Sequence, residues 1–577
     1  MSPQPESPAN NDRAWLWPVV IALLAIVASL SGVGNDYAQD DLALISRNPR
    51  MRSLTSIPSF FVEPYWPPPF IRALYRPFAS ISFAFEWAVG AGAPVVFRLA
   101  SYVLYALSAV AFFRLARLRL PLAVAAAAAA LFAVHPVHVE SVAVAVNQSE
   151  IWVGLLACLM VAIYLRARSE PGPLAGRTQL GLAGLYLAAC AFKENALMIP
   201  GFLVSAELLL IRDPTSVKAR ISRHRQLYLL LLAVAVTFFW TRTLVLSGSL
   251  SGTFMAEGLV GLTTGQRAIT MLAVVPHWLR LLFWPAHLRA DYSPGELVAH
   301  TSWGPDQTLG MLLLATTVAA MVLTWKRAPM IAFGIMWCAI ALFPVHNVLV
   351  PTGIMLAERT LFLPSVGAML ILGGVGAVAL EHSSRRGRTL LAVATGVLVL
   401  LGTLKSATRH TIWQNQFRLW YHTANVDAPK SFRAHEALAD TYFQLGIEGM
   451  AEQEYRIAVS YAPRTFTRPA TAYADRLRMR GHCFPAARIY RDVLEIRPSY
   501  GSIRMALVAC LLDLGRYREA KFHSRMGASF DWSLPVFQWT LAVADSAERV
   551  NAPPGSVRVL VNPADSVSTY VKIGSKK

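Results

Sequence analysis

The chain has 577 residues, 55% of them hydrophobic and 15% charged, with a mean hydropathy of +0.43. Those values exclude a soluble globular protein of this size and put most of the chain in lipid. The net charge of +19 would suit a nucleic-acid binder, but the basic residues fall in alternate loops between apolar runs, so a membrane explains them and no nucleic acid is needed.

Apolar stretches of about 17–25 residues predict spanning helices. They lie near 14–33, 95–113, 120–137, 144–165, 178–192, 196–211, 227–246, 308–325, 328–349, 361–380 and 389–405. Residues 1–13 read as a cytoplasmic N-terminal tail. The first apolar run has no small-residue cleavage site and reads as a retained span. Arg114, Arg117 and Arg119 share one loop, and Arg166, Arg168 and Arg177 the next but one. Arg212, Lys218, Arg220, Arg223 and Arg225 follow, then Lys326 and Arg327, then Arg385, Arg386 and Arg388. With these loops inside, about eleven crossings place the N-terminus in the cytoplasm and the C-terminal region outside. Tyr75 to Gly90 and Arg267 to Leu288 are apolar but carry Arg76, Pro77, Glu86, Pro276, His277 and Arg280. An arginine in mid-bilayer is costly, so both are expected at the outer interface or as re-entrant segments.

After Lys405 the composition becomes that of a soluble helical array. Gly446, Gly481 and Gly515 recur every 34 or 35 residues, Ala451, Ala486 and Ala520 keep the same phase, and Pro463 and Pro498 close two of the units. The pattern resembles the tetratricopeptide repeat, a two-helix unit of about 34 residues. Such arrays hold extended peptides or partner proteins. The five cysteines, Cys158, Cys190, Cys338, Cys483 and Cys510, have neither paired nor metal-type spacing.

Ionisable residues at membrane depth are costly and point to function. In this topology they collect on the outer face: Asp40 and Asp41 after the first span; His135, His138 and Glu140 at the end of the third; Glu150 at the start of the fourth. Lys193 and Glu194 lie in the turn between the fifth and sixth, Asp291 ends an interfacial segment, and Glu358 and Arg359 precede the tenth. His135, His138 and Glu140 could be metal ligands, but Pro136 interrupts the helix, and hydrogen-bonding or phosphate-contacting roles fit better. No metal site is assigned. Lys193 with Glu194 and Glu358 with Arg359 could equally be ion pairs that fix helix ends.

Several strings carry a resemblance: Asp40-Asp41 with Asn48-Pro49, Tyr75-Arg76-Pro77-Phe78, His135-Pro136-Val137-His138-Val139-Glu140, Lys193-Glu194-Asn195, Asp291-Tyr292-Ser293, and Glu358-Arg359 running on to Pro364-Ser365. Their order resembles the transmembrane and tetratricopeptide repeat-containing O-mannosyltransferase family, a branch of the GT-C membrane glycosyltransferases. The chain departs from it at Ser149, where many relatives are basic, and at Thr360, where a tyrosine is usual. The resemblance implies an all-α fold: a GT-C-like transmembrane domain over 14–405 with an extracytoplasmic loop at 34–94, a connecting helix at 406–430, about three repeats over 431–533 and a tail at 534–577. It implies an inverting transferase in a bacterial inner membrane. A polyprenyl-phosphate sugar, most simply mannose, would be the donor, and a protein Ser/Thr hydroxyl the acceptor. Asp41 is expected as the base, with Asp40 positioning the acceptor or a metal, or the reverse; a divalent metal is possible but not required. Arg76, His138, Lys193 and Arg359 are expected to face phosphate, with His135, Glu140, Glu150, Glu194, Asp291 and Glu358 completing the substrate site. The rival readings are a non-catalytic scaffold or export component that recruits periplasmic partners through its repeats, and an enzyme acting on envelope glycan or lipid.

Overall fold

A computed structural model describes residues 15–68, 74–169, 172–246, 255–529, 534–561 and 569–573. It is almost wholly helical and divides into two compact units: Met1–Tyr292 with Val298–Asp427, and Ser293–Leu297 with Ala428–Lys577.

The first unit contains α1 (Leu16–Ser29), α2 (Pro77–Gly90), α3 (Pro94–Arg117), α4 (Leu122–Ala133), α5 (Val139–Ala143), α6 (Gln148–Ala167), α7 (Gly176–Phe192) and α8 (Ile199–Leu209). It continues with α9 (Val217–Arg223), α10 (Arg225–Val245), α11 (Thr264–Phe283), α12 (Pro305–Thr324), α13 (Pro329–Leu342), α14 (Phe362–Glu381), α15 (Arg385–His410) and α16 (Gln416–His422). Proline opens α2, α3, α12 and α13, where its missing N–H breaks no helical bond.

Among the described residues six helical stretches are long and apolar enough to cross a membrane, with α4 and Pro136–Ala143 making a seventh if that pair, bent by 44°, is one span. Each of the eleven expected runs coincides with a helix. The difference in number comes from α1 and α13, apolar but short, and from α7 and α8, of 17 and 11 residues. The two segments expected at the interface form α2 and α11, and neither meets the length and apolarity of a span.

Burial separates the candidate spans into two sets. The stretches built on α3, α6 and α14 are 61, 72 and 67% buried, whereas those on α10, α12 and α15 are 22, 11 and 6% buried and expose leucine and valine outward. The first set forms the packed centre and the second the apolar perimeter. At the centre α13 and α14 come together through Gly334 and Gly367: a Cβ on Gly334 would meet the Gly367 carbonyl oxygen at 2.6 Å. Only glycine permits that approach.

The second unit has α17 (Phe432–Gln444), α18 (Glu448–Tyr461), α19 (Arg468–Met479), α20 (Cys483–Ile496), α21 (Gly501–Asp513), α22 (Tyr517–Gly527) and α23 (Leu534–Arg549), then β1 (Val557–Val561) antiparallel to β2 (Thr569–Ile573). Gly446, Gly481 and Gly515 adopt φ of 76°, 81° and 71° in the turns between successive helices, a region other residues avoid. Ala451, Ala486 and Ala520 are buried where the helices of each pair touch. The stretch 534–577, expected as a tail, instead supplies a helix and a strand pair. Ser293–Leu297 also joins this unit, with Glu296 accepting the Lys430 amide at 2.7 Å.

Candidate functional site

The loop after α1 is pinned by its polar groups. The Asn35 side chain donates to the His410 carbonyl at 2.7 Å, and the Gln39 amide to Gln416 at 2.9 Å. Within this loop the two adjacent aspartates separate completely. Asp41 has no exposed surface and accepts three bonds, from the amides of Val146 and Ala145 at 2.9 and 3.1 Å and from Arg98 Nη2 at 3.2 Å. The two amides lead into α6, where helix N–H groups have no partner of their own, so Asp41 acts as their cap. Burial holds its carboxyl above the usual range, against the opposing pull of Arg98 and the two amides. Asp40, its neighbour, is exposed.

Pro136 breaks the helix after α4 and turns the chain so that Glu140 opens α5 and Glu150 lies in the first turn of α6, a favourable place for a carboxylate. Each acid meets a cation from a distant element. Glu140 pairs with the Arg359 guanidinium and also accepts the Arg359 amide at 2.9 Å. Glu150 pairs with Lys193 and accepts from Asn195 at 2.9 Å. A third pair joins Glu194 to Arg76 at 2.9 Å, and the Arg76 guanidinium lies 5.3 Å over the ring of Tyr65. Burial pushes the Lys193 ammonium down, with Glu150 opposing. Burial also works to raise the Glu194 carboxyl, but Arg76 outweighs it and holds it below the usual range.

The pairs are not symmetric in exposure. Glu140 and Glu150 are 1% exposed, their partners Arg359 and Lys193 24 and 15%. In these two pairs the carboxylates stand behind and the cations reach the accessible side; in the third the order reverses, with Arg76 13% and Glu194 23% exposed. Asp40 lies within electrostatic range of both Arg359 and Tyr65, and Lys193 within that of Arg76 and Arg359. Asp40, Arg76, Glu140, Glu150, Lys193, Glu194 and Arg359 thus form one network.

The other candidates lie elsewhere. His138 is 1% exposed and packed among Phe132, Tyr105 and Phe362, with its ring nitrogens bonded to Tyr105 and Ser365 at 2.8 and 2.7 Å. His135 bonds the Leu282 carbonyl at 3.1 Å. Both read as buried helix-fixing side chains, without a free nitrogen on His138 for phosphate. Glu358 is buried and accepts from the Arg289 amide at 2.5 Å and the Tyr292 hydroxyl at 2.8 Å, which puts it beside the network but facing inward; half-buried Asp291 flanks that contact. Among the described residues no three His, Cys, Asp or Glu side chains are grouped to hold a metal ion.

Sequence reading missed Arg98, Tyr65 and Arg242. Arg242, in the last turn of α10, lies within electrostatic range of Glu194 and Arg76. Arg98 and Arg242 each sit inside an apolar run, and an arginine at that depth was the available signal.

No family model matches the chain. Among curated proteins, the mouse protein O-mannosyl-transferase TMTC3 is 20% identical over 558 residues, covering 84% of this chain. The chain is similar over most of its length to the TMTC-type protein O-mannosyl-transferases. Tmtc3 of Drosophila melanogaster is 22% identical over 73% of the chain, and human TMTC4 23% over 76%. The chain spans 60, 52 and 65% of the length of these three TMTC relatives. The mouse alignment is broad enough to include residues from both structural units.

Proposed function

We propose that this chain is a multi-pass membrane glycosyltransferase of GT-C type that moves mannose from a polyprenyl-phosphate carrier to a Ser/Thr hydroxyl of a protein, with inversion at the anomeric carbon. The observation that carries the reading is the exposed Asp40 carboxylate within electrostatic range of Arg359, which belongs with Arg76 and Lys193 to a network of three cations each braced by an acid. In the reaction the acceptor oxygen attacks the anomeric carbon while its proton passes to Asp40. The bond from that carbon to the phosphate oxygen breaks, and the lipid phosphate leaves with the electron pair against the cations. This assigns the base to Asp40 in place of Asp41, because a proton acceptor needs room for substrate and Asp41 is enclosed by three donors. The topology that serves this chemistry has eleven crossings, the cytoplasmic N-terminus and the network on the extracytoplasmic side of a cell membrane. The helix pairs of the second unit act as tetratricopeptide repeats that present the acceptor.

The test is transfer from radiolabelled polyprenyl-phosphate mannose in membranes matched for protein level. Asp40→Asn preserves size and removes the base, an effect of about 10²–10⁴-fold. Full activity in that variant removes Asp40 as the base. No transfer by the unsubstituted chain with any protein acceptor favours the scaffold reading.

A further inference from the structure

Arg98 lies near the start of α3 with no exposed surface, and only one of its three side-chain nitrogens has found partners. Nη2 donates to the Asp36 carbonyl at 2.8 Å and to Asp41 at 3.2 Å; Nε and Nη1 have no hydrogen-bond partner among the described residues. Asp41 passes the connection on to the amides of Ala145 and Val146. The next residue, Asn147, donates to the Glu140 carbonyl at 3.2 Å, and Glu150 follows in the first turn of α6. A continuous line of contacts thus runs from α3, through the outer loop, to the segment that carries two of the three bracing acids.

We propose that Arg98 is a positioning residue: by neutralising Asp41 in the interior it fixes the Asp40-Asp41 loop onto the start of α6, and so sets Asp40 against the cations held by Glu140 and Glu150. The inference rests on the reading of Asp40 as the base, and Arg98 itself touches no substrate. A fully buried carboxylate keeps its charge only beside a counter-charge. Among the described residues, Glu86 of α2 and Tyr37 and Tyr65 of the loop also lie within electrostatic range of Asp41, all acidic or phenolic, and Arg98 is the cation seen to act on it. A side chain serving only to fill space between helices would need neither the charge nor the bond to the Asp36 carbonyl.

The experiment uses the full chain in lipid nanodiscs and reads amide hydrogen exchange, which requires no turnover, beside mannose transfer. In Arg98→Gln, exchange over residues 36–48 and 144–148 should speed up by about tenfold or more while α14 is unchanged. In the double variant Arg98→Gln/Asp41→Asn, uncharged on both sides, exchange should return toward that of the parent, and transfer should recover by about tenfold over Arg98→Gln. Unchanged exchange in Arg98→Gln overturns the proposal, as does a double variant no better than the single one. If Arg98→Gln does not accumulate, accumulation of the double variant supports the clamp, and its failure beside a well-expressed Asp41→Asn overturns it. If exchange responds as expected but no form of the protein transfers mannose, the reading of Asp40 falls and the clamp stands.

Discussion

Arg359 holds Glu140 twice, through its guanidinium and through its own backbone amide at 2.9 Å, across 219 residues of sequence. Two consequences of removing the guanidinium can be told apart. Arg359→Gln strands a buried carboxylate, which costs about 3 kcal/mol, and under the proposed chemistry it also withdraws a cation from the leaving phosphate, which should slow transfer by about 10²–10³-fold. The double variant Glu140→Gln/Arg359→Gln should regain thermal stability in detergent without regaining transfer. Recovery of both would make Arg359 purely structural.

Asp41→Asn should act on the fold before it acts on chemistry. It leaves the Arg98 guanidinium buried without a counter-charge, so the melting temperature drops. Asp40→Asn, at an exposed position, should stay within about 0.5 kcal/mol of the parent. Thermal unfolding of the two variants side by side gives the answer; equal destabilisation would contradict the separation of roles.

Glu86 carries a pH dependence. Burial first, with the Asp41 charge adding, pushes its carboxyl up to about 8, against the bond from Gln148 at 3.0 Å and the Arg98 charge. The unfolded carboxyl ionises near 4.5, so between there and about 8 the folded chain binds the extra proton. Stability therefore falls as pH rises through that window and levels off above it. Glu86→Gln removes this loss, and its melting temperature relative to the parent should climb by about 2 °C or more from the acid to the alkaline end of the window. A constant difference would refute the assignment.

The second unit should fold by itself as residues 428–561, and less stably if cut before α23. Phe537 of α23 is buried against Gly527, and Thr540 lies 3.0 Å from Ser524, both on α22. Circular dichroism should show a cooperative helical transition for the longer fragment and a lower, broader one for 428–529. Identical melting of the two would mean that α23 is an appendage.

Much of the helical framework was legible because apolar runs and proline starts are local signals. The difference of Asp40 from Asp41 was not, since two identical residues side by side differ only in what the folded chain brings to them: amides from 145 and 146 and a guanidinium from 98. The same holds for Glu140 and Arg359, whose pairing has no local spacing to betray it. The His-Pro-Val-His string looked like phosphate-binding chemistry because histidine between helices is polar on paper; in the structure Tyr105 and Ser365 absorb His138. Arg98 and Arg242 lie within apolar helices, where the loop positions of arginine that signal topology say nothing of them.

The contact of Gly334 with Gly367 has a mechanical meaning. Backbone meets backbone at that crossing, with the Ile371 and Cys338 side chains beside it, so a change of rotamer alone could not make room for a larger residue, and α13 and α14 lie together like two rails bolted to each other. Arg359 stands at the head of one rail, in the turn that runs into α14. Its height in the protein is thus fixed by two residues without any functional group, and a methyl group added at position 334 would reach the network by lifting the rail rather than by touching the charge.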